Sequence, residues 1–298
     1  MTFNSDLLKI AFITANTILL ILLFVFYGLW NNKKLALPAA FLLVILLGSY
    51  LQAKYIEPNW IEINKVTLEK SALPDGAQNL VIVHITDPHI WHFGFRENVL
   101  IKKINKLKPD IIIMTGDYML RPDIYPLIAH TVSKFKAKTG IYAILGDNDY
   151  YRFKGPLEKI GVKFIDDKKV RIRAGSEGGI WLIGGNIDKV DMRLYDGLPA
   201  NEPKILLLHS AENIGKYPVN TGNTDLILSG DTHGEQMGLP FLRKYTSLEG
   251  RFKYISGLYK VNDGVLLYVN KGVGTRFAGE PRIFCRPEIA VIKLKTIQ

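Results

Sequence analysis

The chain has 298 residues, a formal net charge of +10, an apolar fraction of 48% and one cysteine, Cys285. That length suits one large catalytic domain with a small accessory segment, and the apolar fraction is that of an ordinary globular protein. A single cysteine excludes an internal disulfide. Charge alone would permit nucleic acid, but no nucleic-acid-binding motif is present, so no nucleic acid partner is expected.

The apolar residues crowd at the N-terminus. Ile10 to Trp30 contains no charged residue, and neither does Leu35 to Ala53, which carries Pro38 near its start. The first run is long enough to cross a hydrocarbon core of about 30 Å as a helix. Asn31, Asn32, Lys33 and Lys34 separate the two runs, and Tyr27, Trp30, Tyr50 and Trp60 sit near their ends, where interfacial aromatics are expected. The pattern predicts a transmembrane hairpin over residues 1–54, with spans of about 10–30 and 35–53. A cleaved signal peptide is the rival reading. The first run exceeds the usual 7–15 apolar residues and a second run follows at once.

Lys9, Lys33, Lys34 and Lys54 against Asp6 give the first 54 residues a charge of +3, which leaves +7 on the remainder. A basic domain tethered to a bilayer suits anionic lipid surfaces or phosphate-bearing substrates. The expected location is the cell membrane, multi-pass. Lysines flanking the spans lean toward a cytoplasmic domain, and a lone cysteine agrees with a reducing compartment.

Residues 55–78 read as a linker and first strand, with alternation in IEINKVTLE and a turn at LPDG. Residues 79–298 read as the catalytic domain. NLVIVHITD is a strand buried on both faces. ENVLIKKINKLKPD is helical in period and stops at Pro109. DIIIMTGD, a helical PDIYPLIAHTVSKFKA and GIYAILGDND follow, then strands in IWLIGGN, KILLLHS, DLILSGDTH, VLLYVN and EIAVIKL. This is an α/β protein with a large layered sheet core.

Five polar clusters each follow an apolar strand: Asp87-Pro88-His89, Gly116-Asp117-Tyr118, Gly146-Asp147-Asn148-Asp149, His209-Ser210 and Gly230-Asp231-Thr232-His233. If the strands are parallel, all five reach one rim, where ligands of open α/β sheets gather. Together they supply the carboxylates and imidazoles that a hard or borderline metal needs. Singly, each is an ordinary surface turn or a core histidine. Their joint order is the signal.

That order resembles the calcineurin-like metallophosphoesterase family, whose pattern is Asp-x-His, Gly-Asp, Gly-Asn-His-Asp/Glu, His and Gly-His-x-His. The resemblance covers about residues 79–294. GEQMGLP, YVNKGVGT and CRPEIAVIKL look like the membrane-anchored bacterial branch. The resemblance implies a four-layer α/β/β/α sandwich with two metals at the sheet edge. Asp87, His89 and His233 would bind the first metal, Asp117 would bridge both, and His209 would bind the second with Asp147 and Asp231. It implies a hydrolase of phosphodiester or diphosphate bonds acting by attack of a metal-bound hydroxide on phosphorus. The family includes hydrolases of UDP-diacylglucosamine, so the substrate expected is a phosphate ester, in its most specific form a lipid-linked one.

Three positions depart from the pattern. Asp147 stands for the usual Asn, Asp231 for the usual first His, and Asn148 for the usual catalytic His. Asn148 and Asp149 are the candidate catalytic positions. The two carboxylates keep the power to bind metal, and with Asp87 and Asp117 they make an oxygen-rich set that favours Mn²⁺ or Mg²⁺ over Zn²⁺. The rival reading is a catalytically weak or inactive binding or scaffold protein on the same fold.

Trp91, Phe93 and Phe95 follow the first cluster and suit an acyl chain, a base, the bilayer surface or simple loop packing. His92 lies among them, within possible reach of substrate. Arg276, Arg282 and Arg286 suit substrate phosphate or a solvated surface. His84 and His130 read as packing residues.

Overall fold

The structure is a computed structural model that describes residues 21–28, 33–119, 122–149, 154–176, 178–187, 190–216, 224–236, 252–261 and 265–296. Most of the first expected span lies outside the described residues; residues 21–28 are helical. Two compact units are present, Met1–Ala53 and Lys54–Gln298.

In the first unit, helix α1 runs Lys33–Leu51. Its helical course continues through a π turn, Gln52–Ile56, and a 3₁₀ turn, Glu57–Asn59. Among the described residues, Ala36–Asn59 is the one helical run long and apolar enough to cross a membrane. Leu37, Phe41 and Val44 are exposed, so the apolar side chains are not buried in a protein core. Pro38 lies inside the helix, past its first turn, and supplies no amide N–H for the Lys34 carbonyl.

The second unit is a mixed α/β fold built on two six-stranded sheets. The first has the order β1(Glu62–Lys70), β12(Glu288–Thr296), β2(Ile82–Ile85), β3(Ile111–Met114), β4(Gly140–Ala143), β5(Val162–Phe164). The second has the order β10(Gly257–Lys260), β11(Leu266–Val269), β9(Leu226–Gly230), β8(Lys204–Ser210), β7(Gly178–Gly184), β6(Lys169–Ala174). β2 through β5 are mutually parallel, as are β7, β8, β9 and β11.

The strand alternation decides which core each side chain joins. Ile111 and Ile113 of β3, Ile205 and Leu207 of β8, and Leu226 and Leu228 of β9 meet in the core between the sheets. Ile112 and Met114 point the other way, under Leu100 and Ile104 of α2(Phe95–Leu107) and Ile128 and Val132 of α3(Tyr125–Val132). Leu206, Leu208 and Ile227 face outward from the second sheet, against Tyr195 and Ile214. Those two sit on short helical pieces, a 3₁₀ turn Met192–Tyr195 and a helix Asn213–Lys216. The strands in the middle of each sheet are therefore buried on both faces, as their unbroken apolar runs require.

α2 starts where the Glu97 carboxylate accepts the Gly94 backbone N–H at 2.9 Å, and ends at Lys108 in the left-handed region just before Pro109. α3 is shorter than the predicted stretch: a 3₁₀ turn, Pro122–Ile124, precedes it and it stops at Val132. β5, β6 and β10, which the strand reading did not pick out, are all edge strands. Edges are half-exposed, short or charged, and so lack a buried strand's apolar signature.

Candidate metal centre

The five clusters lie at the carboxyl ends of β2, β3, β4, β8 and β9, and side chains from both sheets meet there. The turns that deliver them are strained. Asp87, His89, Asp117, Asp231 and His233 have φ of 50°, 36°, 57°, 72° and 52°. Each such non-glycine conformation costs about 1–3 kcal/mol, and such residues cluster at functional sites. Glycine is required beside them. A Cβ on Gly146 would stand 2.2 Å from Asp117 Oδ1, and one on Gly116 would stand 2.4 Å from the Gly146 nitrogen.

Asp87 is fully buried. Its Oδ2 accepts from Thr86 Oγ1 at 2.7 Å and from the Asp231 backbone N–H at 3.0 Å. Its Oδ1 has no partner, and lies 3.5 Å from His233 Nε2 and 4.0 Å from His89 Nε2. The two histidine rings stack with centroids 5.0 Å apart, and their Nε2 atoms face each other at 3.1 Å. Burial, with His89 and Arg282 nearby, holds His233 well below its ordinary pKa, so it is neutral. Burial pushes Asp87 up to about 6.

Asp117 stands in the middle. Its Oδ2 lies 3.3 Å from His89 Nε2 and its Oδ1 3.5 Å from His209 Nε2. The Asn148 amide donates to Asp117 Oδ2 at 2.7 Å and to Asp147 Oδ1 at 3.0 Å, while its backbone N–H donates to Asp117 Oδ1 at 3.1 Å. His209 Nδ1 donates to the Thr115 carbonyl at 2.8 Å, which turns Nε2 toward Asp117 and toward Asp147 Oδ1 at 3.2 Å. Burial alone would lower the His209 pKa, but Asp117, Asp147, Asp87 and Asp231 outweigh it and raise it well above the ordinary value. The carboxylates thus favour a positive charge at that point. Burial raises the Asp231 carboxyl.

Asp87, His89 and His233 could hold one ion, as could Asp87, Asp117 and His209, and also Asp147, His209 and Asp231. The chemistry of the donors fits a metal. Asp87 Oδ1 and His209 Nε2 are buried with no hydrogen-bond partner, and the opposed His89 and His233 nitrogens leave at least one lone pair facing the other. All seven residues expected as ligands are brought together. His89, Asp117, Asp147, Asn148, Asp231 and His233 line a cavity of about 500 Å³.

Asp149 does not belong to that lining. Its carboxylate accepts the backbone N–H groups of Asp117, Gly146 and Tyr118 at 2.7, 2.9 and 2.9 Å. Three of its roughly four acceptor positions are thus spent on the loop that presents Asp117, an arrangement that positions that loop. Burial and the adjacent Asp117 raise it to about 7.

The three arginines separate. Arg276 lines the cavity. Arg282 is fully buried and donates to the carbonyls of Gly274 at 2.6 Å, Lys271 at 2.9 Å and Cys285 at 3.1 Å, so it braces the backbone instead of meeting substrate. Arg286 lies over the Trp60 ring, 3.6 Å from its centroid. His92 packs on Trp91 in a neighbouring cleft, outside the described lining of the metal cavity. His84 bonds Thr115 Oγ1 at 2.9 Å, and His130 packs edge-on against Phe93. Thr86, Thr115 and Phe277 belong to the site or its support and were not singled out. The threonines sit directly before Asp87 and two residues before Asp117, the only local hint of their role.

A two-sheet α/β fold with aspartates and histidines converging at the strand ends is an arrangement suited to metal-dependent hydrolysis. The family model for calcineurin-like phosphoesterases matches residues 80–235, and the chain belongs to that family of metal-dependent phosphoesterases. It is similar to the uncharacterized metallophosphoesterase YkuE of Bacillus subtilis, 29% identical over 77% of this chain and 84% of that one. It is also similar to a zebrafish (Danio rerio) transmembrane protein with metallophosphoesterase domain, 25% identical over 75% of this chain and 55% of that one. UDP-2,3-diacylglucosamine pyrophosphatase LpxG of Chlamydia trachomatis is 24% identical over 72% of this chain and 83% of LpxG. The chain thus spans most of YkuE but little more than half of the zebrafish relative.

Proposed function

We propose that this protein is a membrane-anchored phosphoesterase that holds two divalent cations and hydrolyses phosphodiester or diphosphate bonds. One observation carries the reading: the Asp117 carboxylate has one oxygen 3.3 Å from His89 Nε2 and the other 3.5 Å from His209 Nε2, so it stands between two sets of ligands. Asp87, His89 and His233 would hold the first cation, and Asp147, His209 and Asp231 the second. When bound, such a pair activates water at neutral pH and neutralises phosphoryl oxygens. Four carboxylates beside three histidines favour Mn²⁺ or Mg²⁺.

The chain's own residues do the rest. Arg276 in the cavity wall is suited to a phosphate oxygen. The Asn148 amide ties Asp117 to Asp147 and so keeps the two halves of the site in register. It cannot release a proton at neutral pH, so the site is suited to leaving groups that need none.

The substrate proposed is a phosphate ester at the membrane. The name of the chlamydial relative supports a lipid-linked diphosphate, and the apolar run Ala36–Asn59 supports the anchor. The N-terminal hairpin, a domain division near residues 54 and 79, a four-layer sandwich and a cytoplasmic catalytic domain complete the proposal.

The test is a screen of purified full-length protein against aryl phosphodiesters, phosphomonoesters and diphospho-lipids with Mn²⁺, Mg²⁺ and Zn²⁺, alongside metal content. Bound metal with Mn²⁺- or Mg²⁺-dependent turnover is expected. Metal without turnover of any substrate would leave a binding protein on this fold, and absence of metal would overturn the site.

A further inference from the structure

The catalytic unit has one face where large apolar side chains from three segments stand in solvent. Tyr55, Ile56 and Trp60 are 58%, 54% and 52% exposed, and Phe95 and Phe284 are 71% and 70% exposed. The segments are tied together. The Cys285 backbone N–H donates to the buried Glu57 carboxylate at 2.6 Å, which sets Phe284 beside the Glu57–Asn59 turn. Arg286 covers the Trp60 ring. Tyr55, Trp91 and Phe95 line one cleft of about 310 Å³. Single exposed apolar residues are ordinary, whereas a contiguous patch marks an interaction surface.

Two features identify what covers it. Tyr55 and Ile56 lie on the last turns of Ala36–Asn59, the helical run that is apolar and long enough to cross a bilayer, and Trp60 follows directly. Chain continuity alone therefore brings this end of the patch to the boundary between hydrocarbon and water. The chemistry is also that of the headgroup layer. Tyr and Trp rings prefer that depth, and here cations lie over them: Lys54 Nζ is 5.7 Å from the Tyr55 centroid and Arg286 is 3.6 Å from that of Trp60. Lysine and arginine near the surface attract anionic headgroups.

We propose that Tyr55, Trp60, Trp91, Phe95 and Phe284 form a docking face that lies in the headgroup layer of an anionic phospholipid bilayer. This rests on the membrane-anchored reading and deepens it. The segment 275–280 walls both the docking cleft, through Thr275, Gly279 and Glu280, and the metal cavity, through Arg276 and Phe277. A lipid phosphate held at the interface would then lie across a shared wall from the metal cavity.

The test uses the full-length protein in vesicles of anionic phospholipid brominated near the glycerol end or near the tail end of the acyl chains. The protein has four tryptophans, Trp30, Trp60, Trp91 and Trp181. Shallow bromines are expected to quench the wild type, and Trp60→Phe and Trp91→Phe should each remove part of that quenching. Trp181→Phe should leave it unchanged, since Trp181 lies in β7 with its indole bonded to Glu202 at 2.7 Å. Trp30 ends the first apolar run and belongs to the same shallow depth, so Trp30→Phe measures its share of the quenching. Shallow quenching lost in Trp30→Phe alone, with no loss in Trp60→Phe or Trp91→Phe, would overturn the docking face while leaving the anchor. Such a result would assign the patch to another protein. Shallow quenching lost in Trp91→Phe without any contribution from Trp30 would support docking and sink the first span. The double variant Trp30→Phe, Trp60→Phe leaves Trp91 as the reporter at the face, and loss of its shallow quenching would overturn the docking face even if a single variant misfolds.

Discussion

The two halves of the metal centre differ in enclosure. Asp87, His89 and His233 expose 0%, 3% and 2% of their side chains, whereas the Asp147 side chain is 59% exposed and Asp231 is partly buried. The departures from the family pattern, Asp147, Asn148 and Asp231, all fall in the open half. The physical reason is desolvation. An added carboxylate in the enclosed half costs several kcal/mol unless a cation meets it, while water shares that cost at Asp147. The open half is where this chain could change ligand chemistry without losing its fold.

The largest way to break the comparison is to remove the residue both halves share. Asp117→Ala should abolish binding at both halves and lower hydrolysis by roughly 10³-fold or more. Elemental analysis of the purified variant checks it, and full metal occupancy would refute the bridging assignment.

Asn148→His should act on the open half alone. A proton donor there should raise kcat/KM for an alkyl phosphodiester by about 10²–10⁴, with little gain for an aryl one. The comparison of the two esters in wild type and variant decides it. Equal gains, or none, would show that the leaving group needs no help from this position.

Asp149→Asn puts an amide where a carboxylate now accepts three backbone donors. At least one N–H would face another donor, and the Asp117 loop would shift. Metal affinity should fall about 10–100-fold, as such supporting contacts usually do, with the circular dichroism spectrum retained. Unchanged affinity by calorimetric titration would remove Asp149 from the site's support.

The double variant Asp147→Asn, Asp231→His takes two carboxylates from the open half. Preference should move toward Zn²⁺ by roughly ten-fold in relative affinity. Competition between Mn²⁺ and Zn²⁺ reads it, and an unchanged ratio would show that the enclosed half sets metal choice.

The smallest effect belongs to the enclosed side. Burial lowers His84 from 6.5 to about 3, so the folded state holds it neutral. An unfolded chain binds the proton first, and stability is lost as pH falls below 6.5 toward 3. At pH 5.5 the loss is about 1 kcal/mol. Urea midpoints against pH should fall less steeply for His84→Gln than for wild type. Parallel curves would contradict the assignment.

The central strands were legible because burial on both faces demands apolar runs, as in Ile111–Met114 and, within Lys204–Ser210, Ile205, Leu206, Leu207 and Leu208. The edge strands β5, β6 and β10 were not, because half their residues face water and their pairing depends on a distant neighbour. The ligand set was legible since each cluster directly follows such a strand. The place of Asp149 was not, for its letters match the pattern whether the carboxylate faces the cavity or the loop backbone.

By itself the sequence determined the central elements and the candidate ligands. Periodicity dictates strands and helices, and Asp and His at strand ends dictate a metal-binding rim, because those properties belong to short stretches of chain. Only the tertiary structure decided which residues share a space. It separated Arg276 in the cavity wall from Arg282 buried under the backbone and Arg286 stacked on Trp60. It also joined Glu57 to Cys285 across the chain. Those outcomes depend on contacts between segments far apart in sequence, which local patterns do not encode.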